Sequence, residues 1–284
     1  MALSDLQLKF FADFIESKLG IIYVKDNYYQ LVKRLEDIAT QMNFPTLEEL
    51  WQKAQSGIFG QMRMLLLDLA TNNETSFFRD PSIFKAIDEK ILGSAEFSGD
   101  NPPPLRIWTC ATSTGQEVYS LAMLLNVWQR LNPNRSFSYL ATDYSERVLD
   151  QAKAGRYSQL EIQRGLPATM LVRHFHNESK GEASGSHSPG WLVNEELKKN
   201  ITFKQQNLVE DFSALKPFDL VLCRNVLIYQ SVENKIKIIR KIADKINPNG
   251  FLVMGAAESL TGLSDAFQLR QFERGAMYQK IPGK

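Results

Sequence analysis

From residue 105 onward the chain alternates short apolar runs with amphipathic stretches, and this alternation restricts the possible fold more than any other feature. Arg106–Cys110 reads as a strand and residues 115–131 as a helix. "SFSYLATD" (136–143) is a second strand, and residues 145–154 form the next helix. "NITFKQQN" (200–207) and "FDLVLCRN" (218–225) are two more strands. A helix from Ser231 to about Ile246 is expected to bury Ile236, Ile239, Ala243 and Ile246, after which "NPNG" turns the chain into "FLVMGA" (251–256). The closing segments, 267–272 and 276–281, pair as antiparallel strands. Such a rhythm predicts an α/β unit with a mostly parallel, doubly wound sheet, whose ligands sit at the strand C-termini.

The first 80 residues have a different pattern. Leu31, Leu35, Ile38 and Met42 share one helical face, as do Met62, Leu65, Leu66 and Leu69. Thr46, with Glu49 three residues on, predicts a capping box. Residues 1–80 therefore form an all-helical N-terminal domain and 81–104 a linker, since "GSAEFSGDNPPP" (93–104) is dense in chain-breaking residues. Residues 105–284 form the α/β domain. Within it, residues 156–199 interrupt the alternation with two candidate strands, "LVRHFHN" and "GWLVNEE", joined by "ESKGEASGSHSP". An inserted polar hairpin of this kind is expendable for folding and suits recognition; the alternative is a plain surface loop.

Composition removes several function classes. The net charge is +1, and residues 1–80 carry eight Lys/Arg against eleven Asp/Glu, which is no footprint for nucleic acid. No apolar run approaches the roughly 20 residues of a membrane span, and "MALSDLQLKFFADF" lacks the basic start of a signal peptide. Cys110 and Cys223 both fall in predicted strands, so a reducing cytoplasm fits better than a disulfide framework. Three histidines without a cysteine cluster make a metal site unexpected.

The loop after the first strand reads Thr112-Ser113-Thr114-Gly115-Gln116-Glu117. It has neither the G-x-G-x-x-G of dinucleotide binding nor the Walker-type lysine loop. A carboxylate in the first turn of the helix repels phosphate but suits an amine or a sulfonium. Asp143 ends the second strand, where an acid accepts hydrogen bonds from ribose hydroxyls. Together they favour a cationic nucleoside without phosphates, and S-adenosylmethionine fits that description. Taken alone, Glu117 reads equally well as a solvated helix acid.

At these residues the sequence resembles the CheR-type chemotaxis receptor glutamate methyltransferases. "NETSFFRD" (73–80) is similar to their NxTxFFR element, and Arg106–Met123 follows their first strand and loop closely. "ATDYSERVLDQAKAGRY", Asn207-Leu208, "FDLVLCRNVLIY" and "GAAESL" continue the match in order, over about residues 70 to 260. The resemblance implies a Rossmann-like, S-adenosylmethionine-dependent methyltransferase domain behind the helical one, with the inserted β subdomain. It implies that Asn73, Thr75 and Arg79 reach over the cofactor, with Glu117, Asp143, Asn207, Leu208, Arg224 and Asn225 completing its pocket. Arg79 would pair with the cofactor's carboxylate or orient the acceptor's. Tyr229 either lies beside the transferring methyl or packs as a core aromatic beneath Ile228. The chain departs from the family's pattern at Gln116, Val118 and Ala256.

The resemblance further implies a monomeric cytoplasmic enzyme that meets the cytoplasmic domain of a membrane chemoreceptor through a basic helix. Here that helix offers Lys25, Lys33 and Arg34 among Asp26, Glu36 and Asp37. A glutamate acceptor is already ionised at neutral pH, with a reference pKa near ~4.3, so no general base is needed. Methyltransferases acting on planar nitrogens place [ND]-P-P-[YF] after the fourth strand, where this chain has "RNVLIY". A cofactor-binding sensor without catalysis is the remaining alternative.

Overall fold

A computed structural model describes residues 3–93, 103–178, 190–273 and 275–284. Four helices open the chain: α1 (Asp5–Leu19), α2 (Tyr28–Gln41), α3 (Leu47–Gln55) and α4 (Gly60–Ala70). Ser4 caps α1 in a full capping box with Gln7, and Gly20 ends it at φ 72°, a left-handed conformation that glycine adopts without steric cost. At α3 the predicted box is half made. Thr46 accepts from the Glu49 N–H at 3.2 Å, but the Glu49 carboxylate takes the Thr46 hydroxyl. Phe11, Ile15, Leu31, Leu35, Ile38, Leu50 and Leu66 form the buried centre of this unit.

The expected linker over 81–104 is corrected in its first half. Residues 81–92 are helical, as α5 (Pro81–Ile87) and a π-helical continuation, Asp88–Leu92. Ile83, Phe84, Ile87, Ile91 and Leu92 are buried with Leu105, Val118, Leu125 and Met277, so this helix covers one face of the sheet. Apolar residues at 83, 87 and 91 repeat at i, i+4 and i+8, a helical stripe that the punctuation after it obscures. Residues 94–102 of the linker lie outside the described residues.

The α/β unit then runs β1 (Leu105–Cys110), α6 (Gln116–Leu131), β2 (Phe137–Asp143), α7 (Glu146–Ala154), β3 (Arg156–Tyr157), α8 (Gln159–Gln163), α9 (Ala168–His174), β4 (Phe175–Asn177), β5 (Trp191–Val193), α10 (Glu195–Lys198), β6 (Ile201–Gln205), β7 (Phe218–Cys223), α11 (Val232–Ala243), β8 (Ile246–Met254), β9 (Phe267–Phe272) and β10 (Gly275–Lys280). The main sheet has the order β6-β2-β1-β7-β8-β10-β9. Its first five strands are parallel, and β10 lies antiparallel to both β8 and β9. The chain order reverses at β1, so β1, β2 and β7 open a crevice at their C-terminal ends.

Two further expectations are corrected. α11 stops at Ala243, and Ile246 already belongs to β8, so "NPNG" lies inside the strand. The buried face of α11 is Ile238, Ile239, Ile242 and Ala243, while Ile236 is exposed. In the insertion, most of "LVRHFHN" is helix α9 and only its last three residues form β4. β4 and β3 flank β5 in a separate three-stranded antiparallel sheet, and the hairpin tip, 179–189, lies outside the described residues. Cys110 and Cys223 are buried, unlinked partners on β1 and β7. No described helix is long and apolar enough to cross a membrane.

Candidate functional site

The crevice is a cleft with an empty volume of about 920 Å³, its open mouth included. All ten residues named from the sequence line it: Asn73, Thr75, Arg79, Glu117, Asp143, Asn207, Leu208, Arg224, Asn225 and Tyr229. They come from five separate stretches, and the topology of the sheet is what joins them.

The floor is the loop from β1 to α6. Ala111 and Ser113 both sit at φ 52°, and Gly115 at φ 94°. Left-handed conformations at two non-glycine residues are costly, and they persist here because the surroundings fix them. Ser113 donates its backbone N–H to Asp143 at 2.8 Å and its hydroxyl to the Asn73 carbonyl at 2.7 Å. A Cβ at Gly115 would stand 2.9 Å from the Ala152 Cβ and 3.0 Å from the Tyr157 hydroxyl, so α6 can start here only from a glycine.

Asp143 is 5% exposed. Its two oxygens accept from the backbone N–H groups of Ser113 and Ser145 at 2.8 and 3.0 Å. Burial pushes its pKa above the ordinary carboxylate value of 3.8, with the nearby Asp68 adding to the rise and the backbone donors opposing it. A carboxylate has about four acceptor positions, so two main-chain bonds leave room for ligand hydroxyls.

Glu117 is not the solvated helix acid of the alternative reading: its side chain is 13% exposed and already paired. Its carboxylate accepts from Arg224 at 2.5 Å, and the Arg224 guanidinium also donates to Asp80 at 2.6 Å and to the Arg79 carbonyl at 2.9 Å. The Arg224 side chain is 1% exposed, stacked 5.8 Å from the Phe84 ring centre. Arg224 is therefore as much a structural tie between α6 and residues 79–80 as a wall of the cleft. The other lining charges are balanced in the same way: Glu74 pairs with Arg164 at 3.0 Å, which leaves Asp143 and Arg79 as the lining charges without an ion-pair partner among the described residues.

Residues 72–80 arch over the floor. Phe77 is buried in an aromatic cluster with Tyr157 and Phe175 of the inserted subdomain, and the Phe78 N–H donates to Ser120 at 2.9 Å. Arg79 forms no ion pair among the described residues and donates only to the Glu74 carbonyl, at 3.3 Å. The side-chain amide of Asn207 is already engaged, donating to the Lys18 carbonyl at 2.9 Å, so what it can offer a ligand is its main chain.

Tyr229 lines the cleft half-buried, while Ile228 before it is 43% exposed, which removes the alternative of a core aromatic beneath Ile228. Asn72, not named from the sequence, donates its amide to the Tyr229 hydroxyl at 2.6 Å. The Ile22 N–H donates to the Tyr229 carbonyl at 3.0 Å and the Gln230 amide to the Leu19 carbonyl at 3.0 Å, so the end of α1 clips onto this turn. A second residue missed is Glu258. Its carboxylate accepts from five backbone N–H groups, those of Asn225, Val226, Leu227, Ile228 and Gly255, at 2.7 to 3.3 Å. The available signal was its place four residues after β8, inside "GAAESL".

The cleft fits S-adenosylmethionine on its own chemistry. It has an acid for ribose hydroxyls in Asp143, the Glu117 carboxylate for a sulfonium or an amine, and Arg79 for a carboxylate. The Thr112 hydroxyl is buried in the cleft wall with no partner among the described residues.

Comparison with known proteins agrees. The model of the CheR methyltransferase, S-adenosylmethionine-binding domain matches residues 73–276. The chain is 34% identical over 281 residues to chemotaxis protein methyltransferase 1 of Vibrio cholerae, covering 98% of both chains. It is 34% identical to chemotaxis protein methyltransferase Cher2 of Pseudomonas putida, over 98% of this chain and 99% of that one. To the Escherichia coli chemotaxis protein methyltransferase it is 29% identical, with 95% and 90% covered. With family model, full-length relatives and cleft in agreement, the chain belongs to the CheR methyltransferases, S-adenosylmethionine-dependent enzymes that esterify glutamates of chemotaxis receptors.

Proposed function

We propose that this cleft transfers the methyl group of S-adenosylmethionine to glutamate side chains in the cytoplasmic domain of a membrane chemoreceptor, with the work divided among named residues. Asp143 accepts from the ribose hydroxyls, and Leu208 with the Asn207 main chain takes the adenine. Glu117, held by Arg224, faces the cationic end of the cofactor, and Asn73 and Thr75 close over it. Arg79 pairs with a carboxylate, either the cofactor's or the acceptor's. Arg224 and Asn225 hold the wall in place.

The bound cofactor supplies the electrophilic methyl. This chain's residues supply position and a dry environment. Tyr229, oriented by Asn72, directs its hydroxyl into the cleft beside the acceptor's route. Alignment of an already ionised carboxylate with the methyl is worth up to roughly 7–11 kcal/mol in favourable cases. No proton has to move.

The observation that carries this reading is the cleft lining: an acid set for a cationic nucleoside, Arg79 and Tyr229 at hand, and no His, Cys or Lys to serve as a base. Buried, unlinked Cys110 and Cys223 suit a cytoplasmic protein. We assign residues 1–80 to a helical unit and residues 81–92 to the methyltransferase unit that they cover. The inserted β subdomain, spanning 156–199, is assigned to partner recognition. A glutamyl methyl ester is alkali-labile, whereas methylated amines, ring nitrogens and thioethers are not. Label from radiolabelled S-adenosylmethionine should enter receptor protein in membranes and leave as volatile methanol on treatment with base. Alkali-stable label would sink the glutamate assignment.

A further inference from the structure

The turn Leu227–Tyr229 points its three side chains three ways: Leu227 is buried, Tyr229 lines the cleft, and Ile228 lies on the outside. Ile228 borders a shallow groove of about 560 Å³, between this turn and residues 254–263, whose walls include Leu227, Val232, Lys235, Met254 and Leu263. Along α11 the apolar strip continues outward, with Ile228 43%, Val232 58% and Ile236 40% exposed. Beside it stand Lys235, Lys237 and Arg240, none of which forms an ion pair among the described residues; the exposed Glu233, one turn before Lys237, leaves this face with a net positive charge.

The N-terminal stretch from Lys25 through α2 is poorer in free cations. Lys25 is paired with Asp5 at 2.8 Å. Arg34 turns inward, donating to the Tyr23 hydroxyl and the Ala70 carbonyl. Lys33 is exposed, but Glu36 and Asp37 follow within one turn.

We infer that the groove and the exposed face of α11 form the docking surface for the receptor segment flanking the acceptor glutamate, an inference that rests on the proposed acceptor. The occupant is an acidic, amphipathic stretch: an apolar side chain enters the groove, and flanking carboxylates meet Lys235 and Lys237. Two observations select it. The surface is continuous with the cleft, because Ile228 and Tyr229 are neighbours in one turn. Its charge complements a partner that must present carboxylates, and apolar contact flanked by opposite charge gives both affinity and steering.

The test uses receptor-containing membranes and measures alkali-labile methylation. Val232→Asp and the double variant Lys235→Glu with Lys237→Glu should each raise the KM for receptor at least about fivefold, as loss of a central contact does. Their kcat and their calorimetric affinity for S-adenosylhomocysteine should match the parent, which also reports that they fold. The milder Val232→Ser should move KM in the same direction. The parent's KM should climb with ionic strength, and the double charge reversal should flatten that dependence. Lys33→Glu on α2 should leave KM within about twofold, as a rim charge away from the contact does. Label with unchanged KM in the α11 variants, or a larger effect at Lys33, overturns this surface alone. Absence of alkali-labile label with the parent protein overturns the acceptor assignment and this surface with it.

Discussion

The floor and the arch of the cleft are held by different means. Asp143 on the floor is fixed by main-chain donors, at the ends of strands that pair with one another. The arch and Tyr229 meet through side chains, with Asn72 reaching a hydroxyl 157 residues away. A carboxylate bound by two backbone N–H groups cannot turn without undoing the sheet end. A phenol held by one amide can. On the proposed roles, the floor is preorganised for the nucleoside, while the arch can adjust when the acceptor arrives.

Four experiments break or sharpen this contrast. The largest effect belongs to the arch. Arg79→Ala should lower receptor methylation by about 100-fold or more, the scale of a misplaced reacting group. Calorimetry with S-adenosylhomocysteine then assigns its carboxylate, since affinity drops only if Arg79 holds the cofactor. Normal labelling in that variant would remove Arg79 from the site. On the floor, Asp143→Ala deletes a charged acceptor at a cost on the order of 1.5–3 kcal/mol, so cofactor affinity should weaken at least tenfold. Unchanged affinity in a folded variant contradicts the assignment.

Tyr229→Phe separates the two regions more finely. Turnover should fall by up to about tenfold, the equivalent of one modest hydrogen bond, while S-adenosylhomocysteine affinity barely changes. Asn72→Ala should reproduce the loss in weaker form; a change in cofactor affinity instead would place Tyr229 on the floor. The smallest effect is pH dependence. On the proposed role Asp143 accepts ribose hydroxyls as the ionised form, and burial raises its pKa above 3.8. Affinity should therefore be full at neutral pH and decline as pH falls through a range above the ordinary aspartate one. Asp143→Asn should show a flat profile; a parent affinity constant down to the ordinary carboxylate range would contradict the raised pKa.

Much of this was legible in the sequence because period and position carry it. The β1–loop–α6 unit, Asp143 at the end of β2 and the antiparallel closing pair follow from alternation and from small residues at strand ends. What was not legible depends on contacts between distant segments. Glu117 reads as a free acid until Arg224, 107 residues on, is seen to neutralise one of its oxygens. The Asn207 side chain reads as free for a ligand until α1 supplies the Lys18 carbonyl. Residues 81–92 read as linker because a breaker-rich stretch follows them, although their apolar spacing is helical. Ile236 reads as buried because a straight count of the period cannot say which face of α11 meets the sheet; Ile238 and Ile239 are the residues buried there.

Glu258 has a consequence for traffic through the site. Five amide dipoles aimed at one point make an anion receptor, and such a receptor would compete for any negatively charged visitor. The acceptor of this reaction is such a visitor. By filling the receptor from within, the chain silences a decoy beside the residues that matter, and Arg79 is left as the cleft's cation without a carboxylate partner among the described residues. Substituting Glu258→Ala would then do more than loosen a turn: by removing the side chain it would open a rival berth for the acceptor carboxylate, seen as substrate inhibition by receptor or by simple carboxylates such as acetate.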